Sequence, residues 1–199
     1  MRNWLLVVLL VLASCASDGR ELAEPELGQT TTTRPSPPTS ALESESTESG
    51  IALSSPDFDA GGIAPVDVTC AGRNVFPVLE WGDVGNGVAE LAVTLTDQTN
   101  PNEPLLLWLM AGIGPGESRL DSGIAPAGAF ETLNDYGSLG YGTPCLDQLG
   151  DGEKELQFRL YLLAQPSGLR PGDPGNEAWD AVAASALDST SLLMRVGGP

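Results

Sequence analysis

The sequence predicts a mainly β domain with one late helix, carried behind an apolar leader and a polar tether. Three observations support this. Apolar stretches of strand length recur between Gly, Pro and Asp turn signals over most of the chain. A single segment near the C-terminus has helical spacing. The N-terminal part is polar once its opening apolar run has passed.

The leader begins with the short basic start Met1-Arg2-Asn3, and residues 4–12 are uncharged and apolar. This run is about half the roughly 20 residues that a membrane-spanning helix needs. It suits the apolar core of an export signal. It ends in Leu12-Ala13-Ser14-Cys15, which resembles the bacterial lipobox, where small residues precede a cysteine that is acylated and becomes the first residue of the mature chain. Residues 1–14 are therefore read as a lipoprotein signal peptide, with Cys15 as the lipidation site. The expected location is the outer face of the bacterial cell membrane, with the lipid anchor as the only membrane contact. Each buried CH₂ of an acyl chain contributes about 0.8 kcal/mol, so more than one chain holds stably.

Residues 15–55 read as a disordered tether. Thr30-Thr31-Thr32-Thr33-Arg34-Pro35-Ser36-Pro37-Pro38 and Glu43-Ser44-Glu45-Ser46-Thr47-Glu48-Ser49 carry no large apolar side chain. Such a segment cannot bury enough surface to offset the entropy of ordering it. Its prolines and like charges favour extension, and its composition is compatible with O-glycosylation.

Residues 56–199 form the expected domain, large enough for one compact core. Residues 77–81 (PVLEW) read as a strand leading into Gly82-Asp83. Residues 89–96 (AELAVTLT) alternate, as a half-buried strand does. Residues 105–110 (LLLWLM) are continuously apolar and suit a strand buried on both faces. Residues 156–163 (LQFRLYLL) alternate again. Asp173 is a candidate cap, with Pro174 in the first turn, for a helix over 176–187. Its predicted apolar face is Trp179, Val182, Ala183 and Ala186. Residues 191–196 read as a final strand.

Charge and composition exclude several functions. The 199 residues hold 9 Lys+Arg, 27 Asp+Glu and no His, for a net charge of −18. Nucleic acid needs a basic face, and an anionic membrane surface repels such a chain. Without His there is no Ser-His-Asp or Cys-His arrangement. Three cysteines cannot make a four-cysteine zinc site. No metal or cofactor is expected. Gly112-x-Gly114-x-Gly116 lacks the spacing of a dinucleotide loop and reads as a turn. Asp147, Asp151 and Glu153 read as a solvated loop, since they lack a calcium ladder.

Four segments, in order, resemble the phosphatidylethanolamine-binding protein family in its bacterial Raf-kinase-inhibitor-like branch. Thr69-Cys70-Ala71-Gly72-Arg73-Asn74-Val75-Phe76-Pro77-Val78-Leu79-Glu80-Trp81 is similar to T-C-x-G-x-N-x-S-P-x-L-x-W. Residues 93–109 resemble the strand ending D-P-D-A-P and the later H-W pair. Asn134-Asp135-Tyr136-Gly137-Ser138-Leu139-Gly140-Tyr141-Gly142-Thr143-Pro144-Cys145 is similar to N-D-[FY]-G-x-x-G-Y-G-G-P-C. Residues 152–161 are similar to G-x-H-x-Y-x-F-x-L-Y. The resemblance implies a β-sandwich with a C-terminal helix and a small anion cavity near one surface.

The resemblance places Asp97, Leu107, Trp108, Tyr141, Gly142, Pro144 and Lys154 at that pocket. Asp97 matches the first Asp of D-P-D, and Thr99 replaces the second. Leu107 and Lys154 stand where the two His would be, and Leu156 replaces the Tyr. Leu146-Asp147 replaces the usual prolines. Leucine neither donates to an anion nor attracts one. Each lost charge-assisted donor costs about 1.5–3 kcal/mol. Weak or absent phosphate binding is expected, with Asp97 a structural acceptor that ties down the loop at 137–145. Trp108 and Tyr141 line the pocket or belong to the core.

Cys70 and Cys145 sit in motifs that approach the cavity, and an exported domain favours a disulfide between them. Two separate buried thiols are the alternative. The favoured function is a tethered, non-catalytic binding or scaffold module for an unidentified small molecule or envelope protein. The alternative is a hydrolase or peptidase inhibitor acting through protein contact. Catalysis by Asp97 and Lys154 is disfavoured, because a lone acid without a positioned partner is a poor catalyst.

Overall fold

A computed structural model describes residues 50–143 and 152–197. The leader, Cys15 and most of the tether lie outside the described residues, as do Pro144, Cys145, Leu146 and Asp147. The elements are β1 (Gly62–Ile63), β2 (Leu79–Glu80), β3 (Glu90–Asp97), β4 (Leu105–Ile113), β5 (Arg119–Leu120), β6 (Phe130–Glu131), β7 (Lys154–Leu163), α1 (Gly175–Ser185) and β8 (Ala186–Val196). A six-stranded sheet runs β1-β8-β7-β3-β4-β6, and β2 pairs with β5 separately. All pairings are antiparallel except β1 with β8.

The sheet divides the core in two. On one face, Leu91, Val93, Leu95, Phe158, Leu160 and Met194 pack with Leu79 and Leu120 of the small sheet and with Trp81, just after β2. On the other, Ala92, Leu106, Leu109 and Leu163 pack against Ala178 and Val182 of α1. This is the mainly β sandwich with a late helix that the sequence predicts.

Every residue of β3 is buried, where a half-buried strand was expected. Its apolar-polar alternation is real. The other face, however, lies beneath α1: Ala92 packs with Ala178 and Val182, and Thr94 and Thr96 line a cleft beside Trp179. β4 is buried on both faces as predicted. Of residues 77–81, only Leu79 and Glu80 are strand, since Val78 N–H is taken by Asp57 Oδ2 at 2.8 Å.

The helix differs from the expectation in three ways. Pro174, not Asp173, is its cap residue. Asp173 Oδ2 instead accepts from Arg170 N–H at 2.9 Å, closing the preceding turn. The buried face is Gly175, Ala178 and Val182, rotated by one position from the face predicted. Close approach sets this rotation: a Cβ on Gly175 would lie 2.1 Å from the Leu133 carbonyl oxygen. Ala186 and Leu187 already belong to β8, which begins five residues earlier than predicted.

Candidate functional site

Two bulges shape β4. Leu95 pairs with Trp108 and Thr96 with Leu106, so Leu107 is the inserted residue. The bulge turns Leu107 and Trp108 toward the same face, and both join the core shared with the small sheet. The second bulge spans Gly112, whose φ of 74° a side chain rarely adopts.

Strand parity brings other predicted site residues to this face. Asp97 continues the row of Val93 and Leu95 at the end of β3, opposite Leu156 of β7. Lys154 lies two residues before Leu156 and shares its parity. Leu107 and Leu156 are fully buried. Among the described residues, Asp97 and Lys154 form no ion pair.

Among the described residues, Asp97 is a structural acceptor for its own turn rather than for the glycine-rich loop. Its Oδ1 accepts the Thr99 N–H at 2.8 Å, closing its own turn. Three residues that the sequence did not single out hold the loop. Asn134 Oδ1 accepts from Tyr136 N–H at 3.1 Å and Ser138 N–H at 3.0 Å. Its Nδ2 donates to the carbonyls of Leu107 and Gly140, each at 3.4 Å. Asp135 Oδ2 accepts from Leu106 N–H at 2.6 Å. Glu131 Oε1 accepts from Trp108 Nε1 at 2.8 Å, and its carboxylate lies against Gly140, where a Cβ would come within 2.6 Å of Oε2.

Trp108 and Tyr141 build an aromatic cluster. Trp108 stacks on Phe76 at 4.8 Å and meets Tyr141 edge-on at 5.5 Å. Tyr141 donates its hydroxyl to the Val68 carbonyl at 3.1 Å. Part of the residue meets solvent, but burial of the phenol pushes its pKa well above the ordinary value. Asn74, in the left-handed region at φ 52°, accepts from Thr143 N–H at 3.2 Å and Thr143 Oγ1 at 3.0 Å. Gly142 lies beside the Asn134 amide.

The rim of this face carries negative charge. The Tyr136 phenol is raised by desolvation first, then by the carboxylates of Asp97 and Asp135. Glu153 pairs with Arg195 at 3.2 Å, so it belongs to a surface contact rather than a cation loop. The pairing expected between Cys70 and Cys145 involves a residue outside the described ones.

A sequence model described as phosphatidylethanolamine-binding protein matches residues 54–196. The chain belongs to the phosphatidylethanolamine-binding protein family. A Mycobacterium tuberculosis relative named "Putative lipoprotein LppC" is 32% identical over 190 residues, covering 94% of this chain and 90% of its own. That alignment is longer than residues 56–199, so it runs into the N-terminal residues before them. A UPF0098 protein of Methanothermobacter thermautotrophicus is 30% identical over 141 residues, covering 68% of this chain and 91% of its own. Among solved structures, Escherichia coli YbcL, described as a member of the mammalian PEBP family, superposes with a TM-score of 0.68. It is 21% identical and matches over 75% of this chain and 99% of its own. This structural likeness shows that the phosphatidylethanolamine-binding protein fold is kept.

Proposed function

We propose that this family member is a non-catalytic binding domain, held at the outer face of the cell membrane by an acylated Cys15, whose anion pocket has been lost. The carrying observation is the floor of the pocket face. Leu107 and Leu156 are both fully buried where the resemblance calls for polar donors. Asp97 and Lys154 are the charged residues that strand parity keeps on this face; Asp97 Oδ1 already accepts from Thr99, and Lys154 is only partly buried at the start of β7. The anionic rim of Asp97 and Asp135 opposes a phosphate further. The LppC relative's name, and the length of its alignment, support the anchor.

The test is thermal unfolding of the protein with phosphate, phosphoethanolamine or acetate. A native-state ligand raises the midpoint according to its concentration over its Kd. No rise is expected; a saturable rise would overturn the lost-pocket reading. The anchor is tested separately by Cys15→Ala, which should release the protein from the membrane fraction.

A Cys70–Cys145 disulfide is part of the same reading. Tyr141 donates to the Val68 carbonyl at 3.1 Å, and Thr143 Oγ1, which donates to Asn74, lies 3.2 Å from the same carbonyl. Each cysteine follows this junction by two residues, Val68 to Cys70 and Thr143 to Cys145. Intact mass should rise by two hydrogens on reduction.

A second reading, contact with a protein such as a hydrolase, is favoured by the loop itself. Tyr136 and Leu139 are 56% and 62% exposed on it.

A further inference from the structure

The opposite face of the sheet holds a cleft of about 330 Å³ between β3, β7 and α1. Thr94, Gln98, Gln157, Arg159, Tyr161, Trp179 and Asp180 are among its lining residues. None of these residues is part of the pocket face. Its volume is at the lower end of the roughly 300–1,000 Å³ of small-molecule sites, suited to a molecule of one or two rings.

Two of the lining groups have hydrogen-bonding capacity unused among the described residues. Thr94 is 1% exposed, and its hydroxyl has no hydrogen-bond partner among the described residues. Such buried groups are rare in native structures and call for an explanation. The Arg159 guanidinium is half-buried and donates one N–H to Gln157 Oε1 at 2.8 Å. It forms no ion pair among the described residues, although Asp180 lines the same cleft.

We propose that this cleft binds a polyhydroxylated, sugar-like ring. The lining mixes donors and acceptors. Arg159, the glutamine amides and the Thr94 hydroxyl offer protons, and Asp180 and the glutamine carbonyls accept them. Tyr161 Oη accepts from Trp179 Nε1 at 2.9 Å, which leaves its own proton free to donate. A ligand hydroxyl is donor and acceptor at once and satisfies both sets. An anion brings acceptors alone and would face Asp180. An apolar molecule would strand the polar floor. Trp179 and Tyr161 supply an aromatic wall for the C–H face of a ring.

The test follows the Trp179 indole N–H signal by NMR in the full-length protein, assigned with Trp179→Phe. The probes are the methyl glycosides of glucose, galactose, mannose and N-acetylglucosamine, with sodium acetate for comparison. At least one glycoside should shift the signal saturably, with a Kd on the order of 1 mM for so small a ligand. Arg159→Leu and Thr94→Val should each weaken binding about 10-fold, as expected for one polar contact, while Thr94→Ser should keep it. Absence of saturation with all four glycosides overturns the proposal. So does an equal response to acetate, or unchanged affinity in both Arg159→Leu and Thr94→Val.

Discussion

Asn134 and Tyr141 carry opposite kinds of information at the scale of single residues. Asn134 joins β4 to the glycine-rich loop through both ends of its amide. Asn134→Ala leaves two peptide N–H groups without their acceptor, and urea unfolding should show a loss of about 2–4 kcal/mol. Tyr141 sets a limit in alkali. Its folded pKa is raised, so the phenol stays protonated in the native state while the unfolded chain ionises above about pH 10. Its stabilising contribution is complete below that pH and falls by about 1.4 kcal/mol per unit above it. Tyr141→Phe should cost about 1 kcal/mol at neutral pH through the lost bond to Val68, and flatten the alkaline decline. The motifs containing both residues were legible in the sequence. Their hydrogen-bond roles were not, because a motif does not say which carbonyl an amide reaches. That is why loop-holding was expected of Asp97 and is performed by Asn134, Asp135 and Glu131.

Strands were the readable elements, and the faces they present were not. β4 announced itself because a continuous apolar run has few other solutions. β3 alternates between apolar residues and Thr, which reads as one wet face; the helix that covers that face comes some eighty residues later. The bulge at Leu107 left no sequence signal, yet it decides that two adjacent residues share a face. The cleft beneath α1 was equally hidden, since its lining comes from three separate elements. It leads to a prediction at this scale. Thr94→Val keeps the side-chain shape and deletes an unpartnered buried hydroxyl. It should raise stability by about 1 kcal/mol in thermal or urea unfolding. Gained stability alongside weakened glycoside binding would mark Thr94 as a residue kept for a ligand rather than for folding.

At the scale of the whole molecule, the β domain and the family were legible, the latter from four ordered motifs; the leader and tether expected from composition lie outside the described residues. The two faces of the sheet differ in kind, one packed with aromatics and the other half-filled beneath a helix. The lateral edge of the sheet has a consequence of its own. β1 pairs with β8 only at Met194 and Arg195. Along residues 186–192, the outer side of β8 has no strand partner among the described residues. A bare edge of this kind is a template for a neighbouring chain. The net charge of −18 keeps identical copies apart, but salt shortens that repulsion from about 10 Å at 0.1 M to about 3 Å at 1 M. Light scattering should therefore rise with ionic strength. Crowding many copies onto one surface would make this edge, rather than the core, the feature that limits how densely they can be arrayed.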